Sequence, residues 1–253
     1  MSAQIIAVIN QKGGVGKTTT AVNLAAYLVK AGRSVLVIDI DPQGNATSGL
    51  AIDKTKVHNT TYDILLGKNT LVSSIIDTPS GIALLPANAT LANAEVELVS
   101  QDNREKMLKK SFEHMAYDYV LIDCPPALGL LTVNALTAAD WVLIPVQAEY
   151  YALEGLSQLL DVMQHIRAGL NPQLELIGVV ATMFDSRTTL AENVYAELKK
   201  HFGDKLFETV IPRNVRLAEA PSYGKTIVEH DRWSKGARAY KQLAKELDKR
   251  IKR

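Results

Sequence analysis

Cysteine is almost missing from this 253-residue chain, with Cys124 the only one. A single thiol excludes an intramolecular disulfide framework and fits a reducing cytoplasm. No run of roughly 18 apolar residues occurs, so no membrane-spanning helix is expected. The first residues show no basic stretch followed by an apolar core, so no secretory signal is expected there. Tandem repeats and low-complexity segments are lacking, and no Pro/Gly/Ser-rich linker separates two halves. What remains is ordinary soluble globular composition, 47% hydrophobic and 22% charged. The expectation is one domain covering 1–253.

The net charge of +1 hides an asymmetry. From Lys199 to Arg253 there are 15 Lys/Arg against 7 Asp/Glu, so the last fifth carries +8 and the rest −7. A basic end on a near-neutral protein points to a polyanionic partner. A solvated helical face balanced by acidic residues elsewhere accounts for the charge equally well.

The most informative stretch is Gln11-Lys12-Gly13-Gly14-Val15-Gly16-Lys17-Thr18-Thr19. It follows the apolar run Ile5–Ile9, which reads as a buried strand, and precedes Ala21–Leu28, which reads as an amphipathic helix. Between a strand and a helix, a glycine-rich turn lets backbone N–H groups converge on phosphate oxygens. The helix adds its positive N-terminal dipole. Lys17 can reach β- and γ-phosphates, and the Thr18 hydroxyl suits Mg2+. The usual G-x-x-x-x-G-K-[ST] pattern needs glycine where Gln11 stands, and Lys12 is an additional lysine beside it.

Further apolar strands follow. Ser34–Ile38 ends in Asp39-Ile40-Asp41-Pro42-Gln43-Gly44-Asn45. Carboxylates at the carboxyl end of a strand lie where open α/β sheets place ligands. If the strand persists, Asp39 and Asp41 share one side. One can orient a water for attack on the γ-phosphate, and the other can act through the Mg2+ shell. Tyr119–Ile122 ends in Asp123, which would hold Mg2+ through water. Strands are also expected at Ile82–Pro86, Trp141–Val146, Leu174–Thr182 and Phe207–Ile211. Helices are expected at Leu91–Val99, Arg104–Met115, Ala152–Ile166, Leu190–Phe202 and from Ser234 to near the end. In that last helix Ala237, Tyr240, Leu243, Ala244, Leu247 and Ile251 form one narrow stripe. It reads as a helix docked on the sheet, with a membrane anchor as the alternative. Strands alternating with helices define an α/β fold with a doubly wound, mostly parallel sheet of the P-loop NTPase type.

The chain resembles the ParA/MinD superfamily of ATPases, whose deviant Walker A loop reads K-G-G-V-G-K-T-T. Within it the ParA/Soj branch is matched by D-I-D-P-Q-G-N-A-T-S-G-L, L-I-D-C-P-P, P-V-Q-A-E-Y-Y-A-L-E-G-L and I-P-R-N-V-R-L-A-E-A-P-S. The resemblance implies a chromosome- or plasmid-partitioning ATPase using ATP and Mg2+. Lys12, Lys17 and Asp41 would be catalytic, Lys12 by crossing a dimer interface to the partner's nucleotide. Nucleotide would be held by Lys12, Gly13, Gly14, Val15, Gly16, Lys17, Thr18 and Thr19. Glu149 would approach the ribose across the dimer, and Pro212 and Asn214 would read the base. Thr18 and Asp123 would serve the metal. Arg187 and Arg216 would bind DNA, their structural alternative being surface ion pairing.

The implied partners are a second copy of the chain when ATP is bound, nonspecific DNA and a ParB/Spo0J-type activator. The implied location is cytoplasmic and nucleoid-associated, with no stable membrane anchor. The short stretch before the first strand leads to the expectation of no helix-turn-helix domain and no sequence-specific recognition. A MinD-like membrane-positioning ATPase and a cargo-positioning relative are the alternatives. The sequence alone predicts that Lys17→Ala loses nucleotide binding, checked with a fluorescent ATP analogue; unchanged affinity removes Lys17 from the site.

Overall fold

Alternation along each strand sends side chains to opposite faces, and here both faces are apolar. Ile6 and Val8 enter one core with Val35, Val37 and Leu121, while Ala7 and Ile9 enter a second with Leu36, Ile38, Val120 and Ile122. Strands buried on both sides need helices on both sides, which is what doubly wound means. The computed structural model describes residues 3–113, 115–149 and 154–252.

The strands are β1 (Gln4–Val8), β2 (Val35–Asp39), β3 (Ile76–Asp77), β4 (Ala83–Leu85), β5 (Tyr119–Asp123), β6 (Trp141–Gln147) and β7 (Glu175–Thr182). They form one sheet in the order β3-β4-β2-β5-β1-β6-β7. Among the described residues only the β3–β4 pair is antiparallel. The helices through the first half are α1 (Lys17–Lys30), α2 (Asn45–Gly49), α3 (Thr61–Leu65), α4 (Leu71–Ser74), α5 (Ala94–Glu97) and α6 (Met107–Lys110). The rest are α7 (Leu130–Ala138), α8 (Glu154–Gly169), α9 (Thr189–Phe202), α10 (Val215–Glu219), α11 (Ile227–His230) and α12 (Lys235–Ile251). The expected start of a helix at Ala152, with Tyr150, Tyr151 and Leu153, lies outside the described residues.

Helix ends follow local chemistry. Gly32, at φ 81°, stops α1. The N–H of Gly32 reaches the Val29 carbonyl and that of Arg33 reaches Leu28, the paired bonds of a Schellman motif. Ser234 caps α12 by accepting from the Ala237 N–H at 3.1 Å. The stripe of α12 is covered: Ala237, Tyr240, Leu243, Ala244 and Leu247 are buried in the same core as Ala21 and Leu24 of α1. The docked reading of that helix is therefore the one the structure adopts.

Three expectations need correction. Phe207–Ile211 is not a sheet strand. The N–H groups of Phe207 and Ile211 do bond to the Val179 and Ala181 carbonyls. Between them, Glu246 of α12 takes the N–H groups of Glu208 and Thr209 at 3.0 and 3.1 Å. A side chain thus supplies the acceptor that a ladder would have used. Arg104–Met115 is not one helix but a 3-10 turn, Arg104–Lys106, followed by the single turn α6. Leu91–Val99 is likewise split among 3-10 and α pieces. These segments lie over the sheet in short steps, each burying single side chains such as Leu91, Leu98 and Leu108.

Leu243 is fully buried between α12 and the sheet. Leu243→Ala should cost about 2–5 kcal/mol, read from urea unfolding. A smaller loss would show that the helix is peripheral to the core.

Candidate nucleotide site

The loop after β1 lies at the point where neighbouring strands diverge in connection: β1 sits between β5 and β6, and the chain leaves it for β2 beyond β5. That is where doubly wound sheets open a crevice. The loop turns through Gly14 at φ 75° and Gly16 at φ 90°, values that an L side chain strains to adopt. Gly16 is the N-cap of α1. Neighbours brace the turn. Thr182 Oγ1 donates to the Val15 carbonyl at 2.7 Å, and Val15 is buried. Asn10 Oδ1 accepts from the Lys12 N–H at 3.0 Å.

The two lysines of the loop differ sharply. Lys17 is buried, and its Nζ donates to the Lys12 carbonyl at 3.1 Å. Burial pushes its ammonium pKa down, opposed by the carboxylates of Asp123 and Asp41. Lys12 instead projects outward to Glu149, with Nζ 2.9 Å from Oε2 and both side chains 44% exposed. The other Glu149 oxygen accepts from Gln147 Nε2.

Carboxylates gather at the strand ends. Asp39 of β2 and Asp123 of β5 are partners in register, and Val8 pairs with Asp123 from the other side. Thr18 Oγ1 donates to Asp123 Oδ2 at 2.7 Å. Asp123 Oδ1 is buried and has no hydrogen-bond partner among the described residues. Burial, then the nearby Asp39, raises the Asp123 carboxyl well above its ordinary range. Burial also raises Asp39, to about 6. Cys124 is fully buried with its thiol pushed up by burial, as suits a small filler.

β2 ends at Asp39, so Asp39 and Asp41 do not continue one alternating strand. The two carboxylates part ways. Asp39 turns inward and accepts from the Thr47 N–H at 2.8 Å, Thr47 Oγ1 at 2.7 Å and the Asp41 N–H at 3.2 Å. Asp41 stays in the loop and, among the described residues, its side chain accepts only locally, from the Gln43 N–H at 2.9 Å. Gly44, at φ 62°, closes that loop, and a Cβ there would come 2.6 Å from the Ala87 carbonyl oxygen. Thr47 had no signal in the sequence beyond its place after the Asp-Pro-Gln-Gly turn.

Beside the loop lies a pocket of about 370 Å³ lined by Gly16, Thr19, Thr182, Met183, Pro212 and Asn214 among others. Asn214 Oδ1 is buried there without a partner among the described residues. Met183 holds a left-handed backbone at φ 50°, and no sequence signal marked it. Pro212 and Asn214 are thus brought next to Gly16 and Thr19 from far along the chain. Arg187 and Arg216 are exposed, and neither is free. Arg187 forks onto Asp185 at 2.8 and 2.7 Å. Arg216 pairs with Glu219 at 3.0 Å and lies 3.7 Å from Asp231.

A glycine turn capping a helix, a buried lysine and a threonine–aspartate pair at adjoining strand ends define a P-loop α/β protein. Comparison with known proteins narrows this. The AAA domain family model matches residues 3–176. The sporulation initiation inhibitor protein Soj of Bacillus subtilis is 55% identical over 96% of this chain and 98% of its own. The chromosome-partitioning ATPase Soj of Thermus thermophilus is 52% identical over 97% of this chain and 96% of its own. Among solved structures, the cobyrinic acid a,c-diamide synthase of Mycobacterium smegmatis with bound ADP and magnesium superposes with a TM-score of 0.88 at 37% identity, covering 99% of this chain and 96% of that one. A putative plasmid partition protein from Borrelia burgdorferi bound to AMPPNP gives 0.81 at 26% identity, covering 99% and 98%. The chain belongs to the ParA/Soj family of partitioning ATPases.

The Lys12–Glu149 pair is half-exposed, so solvent screens most of its attraction. Glu149→Ala should change unfolding free energy by less than about 0.5 kcal/mol. A larger loss in a denaturation curve would mean that the pair holds the loop in shape.

Proposed function

We propose that this chain is a nucleotide-switched DNA-segregation ATPase that hydrolyses ATP to ADP and phosphate. The observation that carries the reading is the division between two lysines of one loop. Lys17 is enclosed near the carboxylates of Asp123 and Asp41 and serves phosphate bound in its own loop. Lys12 stands outside, held only by a half-exposed partner, and is available to a nucleotide approaching from outside.

The donor set fits Mg2+. Hard oxygen ligands suit that ion, and Asp123 presents a buried oxygen with nothing to bond while its other oxygen holds Thr18. Thr18 would ligate the ion directly and Asp123 through water. When bound, the ion supplies charge neutralisation on the β- and γ-phosphates. Gly13, Gly14, Val15, Gly16, Thr18 and Thr19 present backbone to the phosphates. Pro212 borders the base, and the unpartnered Asn214 Oδ1 accepts from the exocyclic amino group of adenine. Asp41, tied only to its own turn, orients the attacking water. The ADP, magnesium and AMPPNP in the two relatives' structures support this choice of ligands.

ATP would then hold two copies together. A Cβ at Gly13 meets nothing within 4 Å, so within one chain glycine is not required by space. Close approach of a second loop would require it. In that dimer Lys12 leaves Glu149 for the partner's nucleotide, and Glu149 turns to the ribose. The dimer binds DNA without sequence preference through Arg187 and Arg216. Phosphates must displace Asp185 and Glu219 from these arginines, which makes retention steeply salt-dependent. A ParB/Spo0J-type activator stimulates hydrolysis and the ADP form releases DNA, giving a nucleoid-associated protein in the cytoplasm. A MinD-like membrane role draws no support from α12, whose apolar stripe is already covered.

Asp41→Ala should retain ATP binding while turnover falls about 100-fold, trapping the dimer in size-exclusion chromatography. Normal turnover would move the water-orienting role elsewhere. Arg216→Glu should abolish ATP-dependent retention of a random-sequence duplex in a gel while leaving dimerisation intact. Loss of dimerisation as well would relocate Arg216 to the subunit interface.

A further inference from the structure

A groove of about 610 Å³ runs between the end of α1, α11 with the loop after it, and α12. It shares no lining residue with the pocket beside Gly16. Its rim is cationic. Lys30, Arg33, Arg232, Lys241 and Lys245 line it against one carboxylate, Asp248. That carboxylate is already engaged, by Tyr119 Oη at 2.6 Å, Lys252 Nζ at 2.5 Å and Arg33 at 3.4 Å. Lys30, Arg232, Lys241 and Lys245 take part in none of the ion pairs among the described residues. Four unneutralised cations around one concavity leave a local charge that the chain does not balance.

The floor is apolar and recessed. Leu28, Tyr27 and Ala244 are buried, and Val228 lies beside them. At the edge Trp233 is 76% exposed, with the Arg232 guanidinium 4.9 Å from its ring centroid. Exposed tryptophan and arginine are the residue types that anchor protein interfaces.

We propose that this groove docks an acidic protein segment that carries an apolar side chain. Charge complementarity selects the acid, and the floor selects the apolar group. A nucleic-acid backbone would use the rim and gain nothing from the floor. A bilayer surface would meet the rim and Trp233 but cannot follow the groove down to Leu28 and Ala244. An extended or helical segment fills both, with carboxylates against the lysines and one side chain on the floor. No lining residue belongs to the phosphate loop or the strand ends, although α1 links the two sites.

The test uses the full chain and a fluorescein-labelled acidic peptide, rich in Glu and Asp with one Leu and one Phe at its centre. Fluorescence anisotropy should show saturable binding, with quenching of Trp233, and at least about tenfold weaker binding of the Gln/Asn counterpart. Lys241→Glu with Lys245→Glu should weaken the acidic peptide at least about tenfold and gain binding of a Lys-substituted peptide. Lys30→Glu, on a different helix, repeats the measurement should the double variant melt early. Basal ATP hydrolysis should not change in either. Equal binding of acidic and neutral peptides, or no rescue by the basic peptide, overturns the proposal. It is overturned as well if the reversals leave peptide binding intact and instead lower retention of a random-sequence duplex or of phosphatidylglycerol vesicles.

Discussion

Everything at the site depends on one constraint: a lysine ammonium buried beside carboxylates that are themselves buried. Desolvation disfavours each charge alone. Lys17 is pushed down, while Asp39 and Asp123 are pushed up; Lys17 and Asp123 offset part of each other's penalty, whereas Asp39 adds to that of Asp123. The arrangement is tolerable because every member but one oxygen is hydrogen-bonded. Asp39 is spent on the Thr47 turn, Asp123 on Thr18, and Lys17 on the Lys12 carbonyl. The leftover oxygen, Asp123 Oδ1, is where an added cation would relieve the remaining cost. A polyanion with its metal completes such a centre, whereas a neutral ligand would leave it unbalanced.

The sheet makes this cluster possible. Register sets Val8, Asp123 and Asp39 side by side, so three strand ends deliver the loop and two carboxylates to one edge. The β2 strand then stops at Asp39, and that stop separates the roles of two aspartates only two positions apart. Asp39 becomes an anchor for the following loop. Asp41, freed from the ladder, is left with a single local bond and is the carboxylate able to act on something else.

Much of this was legible in the residue order. Tyr119–Asp123 is both the expected and the observed strand, because a continuous β-branched and aliphatic run bounded by polar residues has few other ways to be buried. The docked C-terminal helix was legible for the same reason, its apolar positions falling on one face. Phe207–Ile211 has the composition of a strand, but the acceptors for the Glu208 and Thr209 N–H groups come from Glu246, 38 and 37 residues away, which spacing does not reveal. The break in Arg104–Met115 was not legible because its backbone groups bond to Asn134 of α7, which accepts from the Leu108 N–H and donates to the Arg104 carbonyl, a partner that helical spacing does not reveal. The charges were harder still. Spacing leaves open whether Arg187 and Arg216 are ion-paired at the surface; each is met by a carboxylate of its own loop or helix, and pairing of that kind depends on turn geometry.

By itself the sequence determined the alternation of strands and helices, the phosphate-cradling turn and the identity of the residues that enter it, since these rest on local periodicity, on glycine's φ range and on contiguous motifs. Only the tertiary structure decided which charges meet. It buried Lys17 and exposed Lys12 within one nonapeptide, divided Asp39 from Asp41, brought Pro212 and Asn214 against Gly16, and left the cations of α1, α12 and the loop between around one groove. Electrostatic neighbours are set by long-range register and helix docking, and burial is set by the whole core, so neither can be computed from spacing along the chain.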